Sequence, residues 1–205
     1  MTKRVRVFFR SRYMVQNDCR LWARSIAADW QPDLVVFLAK SGFLFARPIA
    51  DELDCSIVDI SVSRPDNGEK DRVREKVPWV PRWVLALALS ARSGYERHER
   101  ESGRKVVRSP RFEALNLRSY LRILVVDDSV DTGWSMRRVL DLLAEEAPES
   151  EVRVASYCVI EASESRVHCD YRRFTNTIVM TATSRFSPEY RDFLKDLEDW
   201  KRGAT

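Results

Sequence analysis

Histidine is nearly absent: His98 and His168 are the only two in 205 residues. The four cysteines, Cys19, Cys55, Cys158 and Cys169, show no CxxC spacing and have no histidine at a metal-ligand interval. A zinc site is therefore not expected, and reduced thiols are the natural reading. No apolar run approaches membrane-spanning length. The basic N-terminus holds Val5-Arg6-Val7-Phe8-Phe9 but no long apolar h-region, so no signal peptide is expected and a cytoplasmic location is. No internal repeat is present. Charge of one sign is also lacking: 35 Lys and Arg against 31 Asp and Glu leave a formal +4. That mild excess suits anionic substrates and makes nucleic acid an improbable partner.

What is present fits one globular domain spanning residues 1–205, with 44% apolar and 32% charged residues. Cys19, Leu21, Trp22, Ile26, Ala27 and Trp30 recur at helical spacing over 13–30, with Asn17-Asp18 as candidate caps. Leu34-Val35-Val36-Phe37-Leu38 is a continuous apolar run, the pattern of a buried parallel strand. A tight loop is expected at Ala39-Lys40-Ser41-Gly42, then a helix from Phe43 to Leu53 and a strand over Ile57–Val62. That order implies a right-handed crossover and a mostly parallel sheet. Residues 64–118 read as a long charged insertion or flexible-loop region, with an apolar helix around Trp83–Leu89. Beyond it a strand begins near Ile123 and its helix runs from Gly133 to Ala144. Further strands are expected over Val152–Ile160 and Thr177–Ala182, and an amphipathic helix over Pro188–Trp200.

The chemistry concentrates in Ile123-Leu124-Val125-Val126-Asp127-Asp128-Ser129-Val130-Asp131-Thr132-Gly133-Trp134-Ser135-Met136. Two acids at the carboxyl end of a strand can grip a cis-diol. A loop of Asp131, Thr132, Gly133 and Ser135 before a helix offers N–H groups and hydroxyls to a phosphate. One molecule carrying both groups is a ribose 5-phosphate. Taken alone, an Asp-Asp pair has a plainer reading, since any strand end needs polar residues.

The full fourteen-residue pattern closely resembles the signature of type I phosphoribosyltransferases, which use phosphoribosyl pyrophosphate (PRPP). The resemblance is nearest to the hypoxanthine and xanthine enzymes and covers roughly residues 13–62 and 120–190. It implies an α/β fold, a mostly parallel central sheet with helices on both faces and a small hood. By the same resemblance Asp127 and Asp128 would hold the ribose hydroxyls, directly or through Mg²⁺. The segment Asp127, Ser129, Val130, Asp131, Thr132, Gly133, Trp134 and Ser135 would surround PRPP. Asp131 would accept the acceptor's proton, or serve as the helix N-cap, or both. Ala39, Lys40, Ser41 and Gly42 match the pyrophosphate loop, with Ser41 in place of a glycine, and Lys40 with Arg64 would stabilise the leaving group. A mobile cover between the two motifs would draw on Arg72, Arg74 and Lys76.

The acceptor end departs from that pattern. Ile160 stands where the similar enzymes place a lysine that reads the purine 6-oxo group. In the base-binding segment around Val179, Ile178 replaces a stacking aromatic and Arg185 falls where an acid is usual. A site lacking the lysine loses a discriminating hydrogen bond, so ordinary 6-oxopurines are not the expected acceptor. The leading expectation is Mg²⁺-dependent transfer to a nitrogenous acceptor by a homodimer. The alternative is a non-catalytic PRPP-sensing regulator that contacts nucleic acid or a protein partner.

Overall fold

A computed structural model describes residues 6–63, 105–160, 163 and 166–203. Arg64, the Trp83–Leu89 stretch and Arg72, Arg74 and Lys76 lie outside the described residues. The chain starts with β1 (Arg6–Phe9) and α1 (Arg12–Asp29), then β2 (Leu34–Leu38), α2 (Ala39–Leu53) and β3 (Ser56–Ser63). From residue 105 come β4 (Lys105–Arg108), the one-turn α3 (Pro110–Glu113) and a 3₁₀ turn over Leu117–Ser119. Next are β5 (Arg122–Val130), α4 (Trp134–Glu146), β6 (Glu151–Val159), β7 (Tyr171–Thr175), β8 (Thr177–Met180) and α5 (Tyr190–Arg202).

Six strands form the main sheet in the order β4-β3-β2-β5-β6-β7, all parallel except the β3–β4 edge pair. Strand alternation divides the core in two. Val35, Phe37, Leu124 and Val126 face the apolar sides of α1, α2 and α5. Leu34, Val36, Leu38, Ile123 and Val125 face α4, together with Phe112 and Leu117. The continuous apolar run of β2 is thus explained by burial on both faces. Trp22 and Trp30 are core residues, as expected.

β1 and β8 pair in parallel as a separate two-stranded hood. The expected strand over 177–182 therefore exists but belongs to the hood, while β7 takes the edge of the main sheet. β1 and β7 both escape sequence reading because each has only four or five residues and includes arginines. The chain crosses from β7 to β8 at Asn176, whose φ of 49° is left-handed and whose N–H donates to the Val159 carbonyl at 2.8 Å.

Asp18 is not a helix cap. Ser11 takes that place, accepting the Met14 N–H at 3.3 Å. Asp18 sits seven residues further in, 8% exposed, and accepts from Tyr157 Oη at 2.7 Å and from Arg173 Nη2 at 2.7 Å. Arg10, just past β1, lies 3.6 Å from the same carboxylate and 5.2 Å from the Phe174 ring centre. One carboxylate thus joins α1, β6, β7 and the end of the hood strand. Burial alone would raise its pKa. The bonds from Arg173 and Tyr157 and the charges of Arg173 and Arg10 outweigh that and hold it below the ordinary 3.8. Burial and the Asp18 carboxylate push the Tyr157 phenol well above its usual range.

At the far end Arg111 of α3 donates to the Trp200 and Lys201 carbonyls at 2.6 and 3.1 Å, closing the C-terminus of α5. Its guanidinium also lies 4.4 Å from the Trp200 ring centre. Trp200 in turn meets Phe37 and Phe43 at 5.3 and 5.4 Å. This stack braces the strand and helix that border the crevice described below.

Removing the Asp18 carboxylate with Asp18→Ala leaves Tyr157 and Arg173 without their acceptor, a loss of about 3 kcal/mol. Thermal unfolding should then begin roughly 6–12 °C lower for a chain of this size. Because the folded-state pKa is depressed, this contribution is complete above the ordinary value and fades as pH falls through the lowered one. The gap in stability between wild type and Asp18→Asn should accordingly be constant at neutral pH and shrink only below about pH 4, a trend that urea titrations at stepped pH will read.

Candidate active site

β2 and β5 are paired only up to Phe37 and Val126, whereas β5 and β6 stay paired out to Val130 and Val159. Residues Asp127–Val130 therefore run on past the end of β2. In the vacated place α2 begins. β3 lies on the other side of β2, so connectivity reverses between β2 and β5, the position where open α/β sheets bind ligands.

The tight loop expected at Ala39-Lys40-Ser41-Gly42 is instead the first turn of α2, which extends over Ala39–Leu53. No described residue from 38 to 42 has a positive φ, so nothing interrupts the passage from strand to helix. Leu38 is the N-cap and supplies no side-chain hydrogen bond, leaving the opening N–H groups without a side-chain cap. Gly42 serves proximity rather than turning. A Cβ there would lie 3.3 Å from both the Val126 carbonyl oxygen and Phe37 Cβ. Lys40 is exposed at the rim and Ser41 is half-buried.

Across the crevice, Asp127 is 9% exposed and its Oδ1 accepts the Asp128 N–H at 2.9 Å. Alternation along β5 directs adjacent side chains to opposite sides, so the two acids flank the strand rather than stand side by side. Asp128 is half-buried, and its charge acts on Cys158 beneath the hood. Burial pushes the Cys158 thiol up to about 12, opposed by the Val179 N–H and reinforced by Asp128. Ser129 is exposed. Val130 is a core residue whose carbonyl accepts from the Ile160 N–H at 3.0 Å and from Ser163 Oγ at 3.3 Å. Its side chain packs in the core on the α4 face of the sheet.

After β5, residues Asp131 and Thr132 lead into Gly133, the N-cap of α4, at φ 79°. The N-cap is thus Gly133 and not Asp131. A side chain at Gly133 would be strained by its dihedral, and its Cβ would meet Arg166 Cβ at 3.3 Å and the Ser163 carbonyl oxygen at 3.4 Å. Trp134 and Ser135 open the helix. The Arg166 guanidinium, which sequence reading missed, lies 4.8 Å from the Trp134 ring centre, and its Nη1 donates to the Thr132 carbonyl at 3.4 Å. A lone arginine in a short polar segment carries no periodicity, and only the fold brings it to this loop.

The four acceptor-site candidates come from three places in the chain. Ile178 pairs with Val7 and Val179 with Phe8 in the hood, where the Val179 N–H reaches Cys158. Ile160 follows β6, bonded to Val130. Arg185 is exposed beyond β8. Among the described residues no group of three or more His, Cys, Asp or Glu is arranged to hold a metal ion. Aspartate oxygens such as those of Asp127 and Asp128 suit Mg²⁺, which retains waters and shares substrate oxygens, so a protein cage is not required. No described helix is long and apolar enough to cross a membrane.

The phosphoribosyl transferase domain family matches residues 13–191. No curated protein matches the chain in sequence. Among solved structures, a purine phosphoribosyltransferase from Pyrococcus horikoshii is similar with a TM-score of 0.59 at 15% identity, over 88% of this chain and 95% of its own. A hypoxanthine phosphoribosyltransferase from Staphylococcus aureus gives 0.53 at 14% identity, over 80% of this chain and 74% of its own. The xanthine-guanine-hypoxanthine phosphoribosyltransferase of Helicobacter pylori gives 0.54 at 14% identity, over 95% and 99%. Identities this low speak for the fold, which agrees with the sheet order and switch point found here. With the family match running through both crevice motifs, the chain belongs to the type I phosphoribosyltransferases, enzymes of phosphoribosyl transfer.

Proposed function

We propose that the protein moves the 5-phosphoribosyl group of PRPP onto a nitrogenous acceptor other than an ordinary 6-oxopurine, with Mg²⁺ as cofactor. The observation that carries this reading is the crevice itself. The first turns of α2 and α4 both open at the carboxyl end of adjacent strands, and the two consecutive acids of β5 lie between them. Helix N-termini favour anions through their free N–H groups and dipole. The α4 turn, with Asp131, Thr132, Gly133, Trp134 and Ser135, would take the 5-phosphate. The α2 turn, with Ala39, Lys40, Ser41 and Gly42, would take the pyrophosphate, and Arg64 is assigned to the same group.

In the reaction the bond from ribose C1 to pyrophosphate oxygen breaks and a bond from C1 to the acceptor nitrogen forms. Positive charge grows on the ribose ring, where Asp127 and Asp128 flank the site of the hydroxyls and stabilise it. The departing pyrophosphate keeps the bonding electron pair, and Lys40 with the α2 N–H groups receives that charge. Asp131, at the opening of the α4 loop, takes the proton released by the acceptor nitrogen. Asp127 and Asp128 are the residues that would hold Mg²⁺, which when bound neutralises substrate phosphate charge. Most of the acceleration comes from holding both reactants in line.

For the acceptor, the hood offers Ile178 and Val179, and Ile160 lies at the end of β6. These three are apolar and would not read a purine carbonyl as a lysine does; Arg185 favours an acceptor with a carboxylate. A homodimer and a cytoplasmic location, expected from the resemblance, complete this reading.

Calorimetry of PRPP with Mg²⁺, followed by pyrophosphate release across purines, pyrimidines and carboxylated heterocycles, tests the reading directly. One acceptor should support release, and Asp127→Asn or Asp128→Asn should cut it at least about 100-fold. PRPP binding with no release for any acceptor would favour the sensing regulator instead. The two glycines separate the two arms of the crevice. Gly133→Ala should weaken ribose 5-phosphate about tenfold or more and leave pyrophosphate unchanged, because it distorts only the α4 turn. Gly42→Ala should do the reverse, by pushing α2 off the Val126 carbonyl.

A further inference from the structure

The loop that opens α4 carries three carboxylates, Asp127, Asp128 and Asp131, within five residues. A phosphate carries two negative charges, of which the helix N-terminus offsets only about half of one, so a side-chain cation at this turn adds directly to binding. Among the described residues, one cation in contact with this loop comes from outside both motifs.

That cation is Arg166. Ser163 anchors its segment from within the core, donating through Oγ to the Val130 and Ile160 carbonyls at 3.3 and 2.7 Å. The Ser163 carbonyl in turn accepts the Arg166 and Val167 N–H groups at 2.9 and 3.1 Å, holding Arg166 beside Ser163. Gly133 lies directly under this pair, close enough that an added Cβ would touch both Ser163 and Arg166. From there the guanidinium spans the loop, with the Trp134 ring 4.8 Å from Cζ and the Thr132 carbonyl 3.4 Å from Nη1. The carbonyl contact is at the long limit of a hydrogen bond. The aromatic contact fixes the plane of the fork while leaving its edge available for exchange.

We propose that Arg166 is a substrate-binding residue for the 5-phosphate, with Trp134 as the platform that positions it. The inference rests on the reading of the Asp131–Ser135 turn as the phosphate site. On binding, the guanidinium exchanges its weak bond to Thr132 for a charge-assisted bond to a phosphate oxygen, with no covalent change. This also gives a physical reason for a tryptophan in a loop of small residues. A backbone-only phosphate site has no use for an aromatic face, whereas a site that borrows an arginine does.

The test compares ribose 5-phosphate and pyrophosphate binding by calorimetry in the full chain, with Mg²⁺, for wild type, Arg166→Ala, Arg166→Lys and Trp134→Phe. Arg166 is exposed, so its removal should leave the unfolding temperature within a degree or two. Arg166→Ala should weaken ribose 5-phosphate about tenfold or more and leave pyrophosphate within twofold. Arg166→Lys should recover part of the loss, and Trp134→Phe should fall between. In wild type, ribose 5-phosphate should change Trp134 fluorescence, and Arg166→Ala should remove that change. Equal ribose 5-phosphate affinity in wild type and Arg166→Ala would overturn the role of Arg166 while leaving the phosphate site intact. Failure of wild type to bind either PRPP or ribose 5-phosphate would overturn the phosphate site and this inference with it.

Discussion

The fold hinges on a mismatch in strand length. Asp33 ties the beginning of β2 to β5, accepting the Leu121 and Arg122 N–H groups at 2.9 and 3.0 Å and donating its own N–H to the Arg122 carbonyl. With the starts held level, the five residues of β2 must end before the nine of β5. Everything in the crevice follows from that difference. The overhang presents Asp127–Val130, and the space beside it admits the first turn of α2. Gly42 lets the turn come close enough to share the site. Had β2 been four residues longer, its ladder would have covered the acids.

Sequence patterning made some of this legible and hid the rest for identifiable reasons. Leu34–Leu38 was readable to the residue because burial on both faces leaves no polar position to blur its ends. The β5 signature was readable because strand, acids and glycine lie consecutively in the chain. Asp18 was misread as a cap. A carboxylate near a helix start looks the same whether it faces a backbone N–H or a tyrosine and an arginine 139 and 155 residues away. The Ala39–Gly42 turn was read as a loop because glycine ordinarily signals turning, whereas Gly42 is helical and small for the sake of a neighbour. Arg166 depends on contacts that no local window contains.

The two ends of the chain deserve comparison with its middle. The family match spans residues 13–191, so β1 lies before it and nearly all of α5 after it. Both are nonetheless integral. β1 supplies half of the hood, and Arg10 beyond it joins the Asp18 cluster. α5 buries Phe193, Leu197 and Trp200 in the core facing α1 and α2. The hood is thereby fixed to the sheet through charge, and the crevice wall through aromatic contact. The hood and the α2 wall of the crevice rest on different physical supports.

The burial of the thiols has a bearing on redox chemistry. None of the four cysteines forms a disulfide; burial drives Cys55 and Cys158 to about 12 and Cys19 higher still. The thiolate is the form that attacks oxidants and alkylating reagents, and at neutral pH these three groups stay protonated. Cys158 stands next to Asp128 as a neutral sulfur, adding no second anion to the hood side of the crevice. Peroxide at neutral pH thus meets thiols rather than thiolates at Cys19, Cys55 and Cys158.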